Sequence, residues 1–387
     1  MAEKKIKKSQ NFLQLSGVLL ETNIEIKQNE KVKIRNFKGD GSEKEITCDI
    51  AKKKEFKNPS FLIECSPKDE GGNVIGTYQL GVDFAQIGFG VASKEFDKDG
   101  KVVDSGNFKG IETVLNDYVT RKEASELTAK NKKIAEKEAN GAEVVAGRDY
   151  EIVEPTKVFI KSGFLSPNEY ATEQGEFKVN LPTITTYNVT STGVPDEDIS
   201  EGSITGYIKS IIDEVFNDEE TGRLKVEFYF FDSKGEAYPV NFTVEKDLAD
   251  DFREFYENGT SCKIYYDILT RQIGAKKVSS NNGFGRRDTN TVSGYSATEY
   301  SIFKGDESFE EENELYIEPK EFNKAMESRA ITIEQKIKTK KDGSKGGNSN
   351  SGSKSKPSGG GLGNRNSKVD DGFMNIPDGD DSELLPF

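Results

Sequence analysis

The sequence predicts a mainly β protein: tandem barrels with helical insertions, followed by a disordered C-terminal tail. Three observations point there. Between Ser200 and Ile337, apolar and polar residues alternate over several short runs separated by turn-forming clusters. Aromatic residues make up 10% of the 387 residues, 24 Phe and 14 Tyr, too many for a chain without a core. From Lys338 onward the periodicity stops and Gly, Ser, Asn and Lys dominate, the composition of a flexible linker.

The stretch from 200 to 337 carries the clearest pattern. "GSITGYIKSIIDEVF" reads as a first strand, with Gly206 where a barrel needs a strongly bent one. "GRLKVEFYFF" sets Leu224, Val226, Phe228 and Phe230 on one face and Lys225, Glu227, Tyr229 and Phe231 on the other. "EAYPVNFTV" repeats the alternation, and "DEETGR" and "DSKGE" supply turns. The period then changes: "EKDLADDFREFYENG" spaces Leu248, Phe252, Phe255 and Tyr256 as on a helix, with Asn258-Gly259 as its stop. "CKIYYDIL" returns to strand alternation, with Cys262, Ile264, Tyr266 and Ile268 on one face and Lys263 and Tyr265 on the other. A Gly/Ser/Asn-rich loop follows, and "ATEYSIFKG" is the last strand. Three strands, a helix, a strand, a long loop and a strand is the order of an OB barrel.

The region from 9 to 195, after a basic arm at 1–8, is also strand-rich: "KEITCDI", "SFLIEC", "NVIGTYQLGV" and "TKVFIKSGFL" are candidates. Leu15-Ser16-Gly17-Val18-Leu19 echoes Ile204-Thr205-Gly206-Tyr207-Ile208, so a second, elaborated OB-like domain is the economical reading. "GIETVLNDYVTRKEASELTAKNKKIAEKEANG" reads as one exposed, inserted helix that stops at Asn140-Gly141. The organisation is therefore a barrel at 9–195, a barrel at 200–337, a linker at 338–369 and an acidic tip at 370–387.

Composition argues against catalysis. The chain has no histidine, which removes the usual general base and the commonest zinc ligand, and it has no phosphate-binding glycine loop. Its 68 acidic residues make any one pair uninformative. A non-enzyme with no cofactor and no metal is expected. The three cysteines, Cys48, Cys65 and Cys262, stand far apart and suit buried thiols in a reducing cytoplasm. No run of about 18 apolar residues and no secretory signal is present, so no membrane is expected as a partner.

OB barrels grip oligonucleotides on the face of their second and third strands and with the loops joining strands one to two and four to five. The second such loop of the 200–337 region offers Arg271, Lys276, Lys277, Arg286 and Arg287, with Phe284 and Tyr295 among them. Rings stack on bases while cations neutralise phosphates, a sequence-tolerant combination. Tyr229 and Phe231 extend that stacking surface, or else pack against another domain or subunit. Lys263 and Tyr265 are further candidates. In the first region Lys33, Arg35, Phe37, Lys52, Lys53, Lys54 and Phe56 form a weaker basic and aromatic set, because a charge run is most often a solvated face. The net charge of −14 opposes nucleic acid except in a locally basic groove. The segment 338–387 carries one net positive charge, which leaves about −15 on the rest.

The chain ends Asp380-Asp381-Ser382-Glu383-Leu384-Leu385-Pro386-Phe387, an acidic stretch closed by an apolar plug on a flexible tether. Such a tip is a portable ligand for a pocket with a basic rim. At these residues, with an OB-like domain and a linker ahead of them, the chain resembles the bacterial and phage single-stranded-DNA-binding proteins, and its length suits a large phage-encoded member. The resemblance implies a protein that coats single-stranded DNA in replication, recombination and repair. It also implies that replication and recombination proteins dock on Asp380, Asp381, Glu383, Leu384, Leu385, Pro386 and Phe387, with the last two as the anchor. Leu384-Leu385 departs from the family's acid-Ile pair, tryptophan is missing, and the folded part exceeds one OB domain. The rival readings are a structural or scaffolding phage protein with a docking tail and, third, a carboxylate-metal nuclease.

Overall fold

The computed structural model describes residues 6–36, 41–52, 59–68, 71–85, 90–216, 219–273 and 295–345. In chain order the first half contributes β1 (Asn11–Asn23), β2 (Glu25–Arg35), β3 (Glu43–Lys52), β4 (Ser60–Cys65), β5 (Tyr78–Phe84), β6 (Val91–Ala92), β7 (Lys94–Phe96) and β8 (Val102–Asp104). Then come α1 (Gly106–Asp117), α2 (Arg121–Glu138), β9 (Lys157–Ala171) and β10 (Phe177–Thr186). The second half contributes β11 (Ser200–Phe216), β12 (Glu219–Phe231), β13 (Ala237–Val244), α3 (Ala249–Phe255), β14 (Ser261–Ile273), β15 (Tyr295–Gly305) and α4 (Pro319–Lys345). Among the described residues no helix is long and apolar enough to cross a membrane.

Each half closes one five-stranded barrel. In the first, β1 pairs with β4, β4 with β5, β5 in parallel with β10, β10 with β9, and β9 returns to β1. In the second, β11, β12, β13, β15 and β14 close in the same sequence, and the one parallel pair is again the third strand with the fifth, β13 with β15. This is the OB topology, twice. The helices lie between the third and fourth strands in both halves: α1 and α2 in the first, α3 in the second. The expected single helix over 110–141 is two. Its chain breaks at Thr120, whose hydroxyl accepts from the Glu123 N–H while the Glu123 carboxylate accepts from the Thr120 N–H, a capping box that starts α2 afresh. It ends where expected, at Asn140 and Gly141, both with positive φ.

The connection between the first two strands of the first barrel is elaborated into the β2–β3 ribbon, and β6, from the chain after β5, pairs with β3 to complete a separate sheet. Its own small cluster of Ile34, Cys48 and Phe96 holds it, while Leu13, Leu15, Phe61, Ile63 and Phe84 fill the barrel. Phe228, Phe242, Tyr266 and Tyr300 fill the second barrel, with Phe242 centred 5.0 Å from Tyr266. Burying rings of this size contributes about 2–3 kcal/mol each.

The barrels share an edge. β1 and β11 pair antiparallel from Asn11–Ile204 to Leu15–Ser200, fusing the strands into one ten-stranded sheet. The seam is two-fold symmetric to the level of single hydrogen bonds. Ser16 Oγ accepts from the Ile199 N–H at 2.8 Å, and Thr205 Oγ1 accepts from the Gln10 N–H at 2.8 Å. Farther out, Ser9 Oγ accepts from the Phe231 N–H and Asp198 Oδ2 from the Ser66 N–H. The same sequence offset separates Ser9 from Asp198, Gln10 from Ile199 and Ser16 from Thr205.

The sequence reading assigns no helix to α4, which begins at Pro319 and runs through position 338, where that reading starts a linker. It straps the barrels together. Phe322 stacks on Tyr207 with ring centroids 4.1 Å apart and meets Tyr229 edge-on at 5.2 Å. About two turns farther on, Arg329 donates to the Ala237 carbonyl of the second barrel and pairs with Glu169 of the first, both side chains 5% exposed.

Candidate nucleic-acid interface

Tyr229 and Phe231 are not a stacking surface. Both lie on the outward face of β12, as the alternation predicts, but α4 covers that face and leaves them 5% and 1% exposed. Phe322 takes the place beside Tyr229 that a base would need. The cover is α4, whose Phe322 and Ala325 belong to the same 200–337 region rather than to another domain or subunit.

An outward aromatic and basic cluster stands instead on β14 and β15. Alternation along β14 buries Cys262, Ile264, Tyr266 and Ile268 and turns Lys263 and Tyr265 outward. Lys263 Nζ sits 4.8 Å from the Tyr265 ring centre, and Lys304 of β15, directly opposite Tyr265 in register, brings its Nζ to 5.2 Å. The Tyr265 hydroxyl donates to Asp306 Oδ2 at 3.1 Å, which fixes the ring on the sheet. Lys304 was missed in the sequence because its role depends on the pairing of β14 with β15, which no local pattern reveals.

Arg271, on the same face of β14, approaches Glu299 at 3.5 Å. Glu299 also receives the buried Arg223, which Glu214 holds at 3.1 Å and Glu245 at 2.7 Å. This network ties β12 to the start of β15 and stiffens the strand ends from which the loop departs. The loop residues Lys276, Lys277, Phe284, Arg286 and Arg287, and the side chain of Tyr295, lie outside the described residues.

Farther along the sheet, Asp267 stands opposite Glu201. Desolvation first, and the neighbouring Glu201 charge second, push its carboxyl up to about 6. This pair bounds the basic cluster on one side.

In the first barrel, Lys33 and Arg35 lie on β2 directly opposite Glu45 and Glu43 of β3, and Lys52 opposite Glu25. Each cation thus faces a carboxylate across the ribbon, which offsets its attraction for phosphate. Phe37, Lys53, Lys54 and Phe56 are outside the described residues, as are all residues from Asp380 to Phe387.

A half-open cavity of about 550 Å³ lies between α3 and β15, walled by Leu248, Phe252, Phe255, Ile302 and Phe303. Its ionised groups are Asp251, Asp306 and Glu307 against the single cation Lys304, so its wall is net acidic. Among the described residues no group of three or more Cys, Asp or Glu is placed to hold a metal ion. The cysteines are free and buried, and burial pushes the Cys65 thiol up to about 12, which keeps it protonated and inert.

No curated protein matches the chain. Among solved structures, the wild-type single-stranded DNA binding protein from Thermus aquaticus is similar at 8% identity, with a TM-score of 0.36, over 79% of this chain and 96% of that one. A deletion mutant of the same Thermus aquaticus protein gives 8% identity and a TM-score of 0.39, over 79% of this chain and 98% of that one. The model of the YorF family matches residues 147–340, from just ahead of β9 through the whole second barrel and into α4. That is just over half of the 387 residues, and the chain belongs to the YorF family.

Proposed function

We propose that this protein binds single-stranded DNA, catalyses no reaction on it, and acts in the cytoplasm, coating strands during replication, recombination or repair. The observation that carries the reading is the pair of lysines held over Tyr265 on the outward face of β14 and β15. An exposed cation–π contact is worth about 0.5–1 kcal/mol, whereas a base stacked on an aromatic ring is worth about 1–3 kcal/mol. Stacking wins: a base takes the ring, and Lys263 and Lys304 swing aside to the phosphates on either hand. Arg271, six residues farther along β14 and beyond Asp267, would add a separate basic contact, as would Arg286 and Arg287.

A duplex hides its base faces and gains nothing from Tyr265. Titrating the full chain into fluorescently labelled oligo-dT and into a duplex of equal length therefore tests the proposal. Preference for the single strand, weakening with salt, supports it; equal or absent binding to both overturns it.

The acidic tip completes the proposal as the docking peptide for replication and recombination proteins. Phe387 and Leu385 supply apolar surface, and Pro386 limits the ordering cost on docking. Deleting Leu384 to Phe387 should abolish capture of replication proteins and leave oligo-dT affinity equal or slightly higher. Unchanged capture would remove the tip from the account.

A further inference from the structure

We propose that single-stranded nucleic acid runs from Tyr265 across the seam between the barrels and onto Phe12, Phe164 and Tyr187 of the first. The inference rests on the single-strand reading above and gives it a path.

The register places these residues in one row. Phe12 of β1 is opposite Ser203 of β11, Ser203 is opposite Tyr265 of β14, and Tyr265 is opposite Lys304 of β15. On the other side of β1, Leu13 is opposite Gly163 of β9, and the Asn11 amide bonds both the N–H and the carbonyl of Leu165, at 3.0 and 2.8 Å. Phe12 and Phe164 lie between those two links and so face each other. Phe164 in turn lies 5.4 Å from Tyr187, ring centre to ring centre.

The whole row points away from the cores. Its sequence neighbours Leu13, Leu165, Ile204 and Ile264 are buried, and alternation sends the row to the opposite face. Phe12 remains 42% and Tyr187 61% exposed. At about 4.8 Å between strands, the three steps from Phe164 to Tyr265 span about 14 Å.

An outward sheet face is ordinarily polar, and rings repeated along one row need an occupant. Charge selects which. Lys263 and Lys304 flank the row at one end and exposed Lys161 of β9 lies near the other, while the carboxylates of Glu201 and Asp267 run along one side. Rings with lysines at both ends and an acidic edge suit a strand whose bases stack inward and whose phosphates keep to the lysine side.

The test compares the full chain with Phe12→Ala, Tyr187→Ala and Tyr265→Ala variants, titrated with oligo-dT by tyrosine fluorescence, since no tryptophan competes. Crosslinking to an iodouridine-substituted oligonucleotide, mapped by mass spectrometry, locates the contact. The proposal expects Phe12→Ala and Tyr187→Ala each to lower affinity about fivefold or more at unchanged thermal stability. Phe12→Tyr should restore it, and crosslinks should fall at Phe12, Phe164 or Tyr187. If Tyr265→Ala weakens binding while Phe12→Ala and Tyr187→Ala do not, the path is wrong and the single-strand reading stands. If the wild-type chain fails to bind oligo-dT, both fall. If Phe12→Ala alters only self-association in sedimentation, the row is a protein contact and the path is likewise overturned.

Discussion

Gly17 and Gly206 are one position in two copies of a fold. A Cβ on Gly17 would stand 2.2 Å from the carbonyl oxygen of Glu64, and one on Gly206 would stand 2.1 Å from that of Tyr229. Val18, the next residue after Gly17, pairs with Glu64; Tyr207, the next after Gly206, pairs with Tyr229. Each glycine lies where the first strand leaves its pairing with the fourth and crosses toward the second, so main chain passes against main chain. Each half of the protein is therefore one OB unit, and the two meet through equivalent edges.

Gly206→Ala should cost at least about 2 kcal/mol in urea unfolding, because the obstacle is backbone and cannot rotate away. Gly106, at the start of α1 with open space around its Cα, is the control. Gly106→Ala should be neutral or stabilising by up to about 1 kcal/mol. Equal effects of the two changes would contradict the close crossing.

Arg329 and Glu169 join α4 to both barrels in a buried pair. Arg329→Met should destabilise the protein by about 3 kcal/mol, because among the described residues Glu169 keeps only Lys336, at 3.3 Å, as an ion-pair partner. Adding Glu169→Leu should recover most of that loss, since the orphaned charge is then gone. Additive losses in the double variant would show that the pair is not coupled.

Asp267 should make the protein less stable as pH rises from about 4 to about 6. Its folded-state value is raised to about 6, so the folded chain holds a proton that the unfolded chain has released. The protonated form is fully favourable below the unfolded value and is lost as pH passes the folded one. Discounted for partial exposure, the penalty at neutral pH is about 1–2 kcal/mol. Asp267→Asn should remove it, raising stability at pH 7 and flattening this part of the pH profile. A profile identical to wild type would place the titration elsewhere.

The second barrel was legible because its core residues alternate cleanly: Leu224, Val226 and Phe228 on β12, and Ile264, Tyr266 and Ile268 on β14, are all buried. The first barrel was legible through the five residues around Gly17 that echo those around Gly206, although the β2–β3 ribbon separates its first two strands. What escaped was tertiary. The aromatic residues Tyr229 and Phe231 read as an open surface because nothing on β12 says that a helix returns to cover them. The spacing of Phe322, Ala325, Met326 and Arg329 on one face of α4 was the available sign. For the interface, Lys263 and Tyr265 could be read from alternation alone. Lys304, Phe12, Phe164 and Tyr187 join them only through pairing across strands distant in sequence.

Binding of single-stranded DNA on the outward face at Tyr265 is the central claim, and salt dependence tests it most directly. The affinity of the full chain for oligo-dT would be measured from low to moderate salt, for wild type and for the Lys263→Glu, Lys304→Glu double variant. The account predicts at least a tenfold loss at low salt and a logarithmic salt slope shallower by about 1.4, two phosphate contacts at about 0.7 each. Wild-type affinity and slope in the double variant would contradict it.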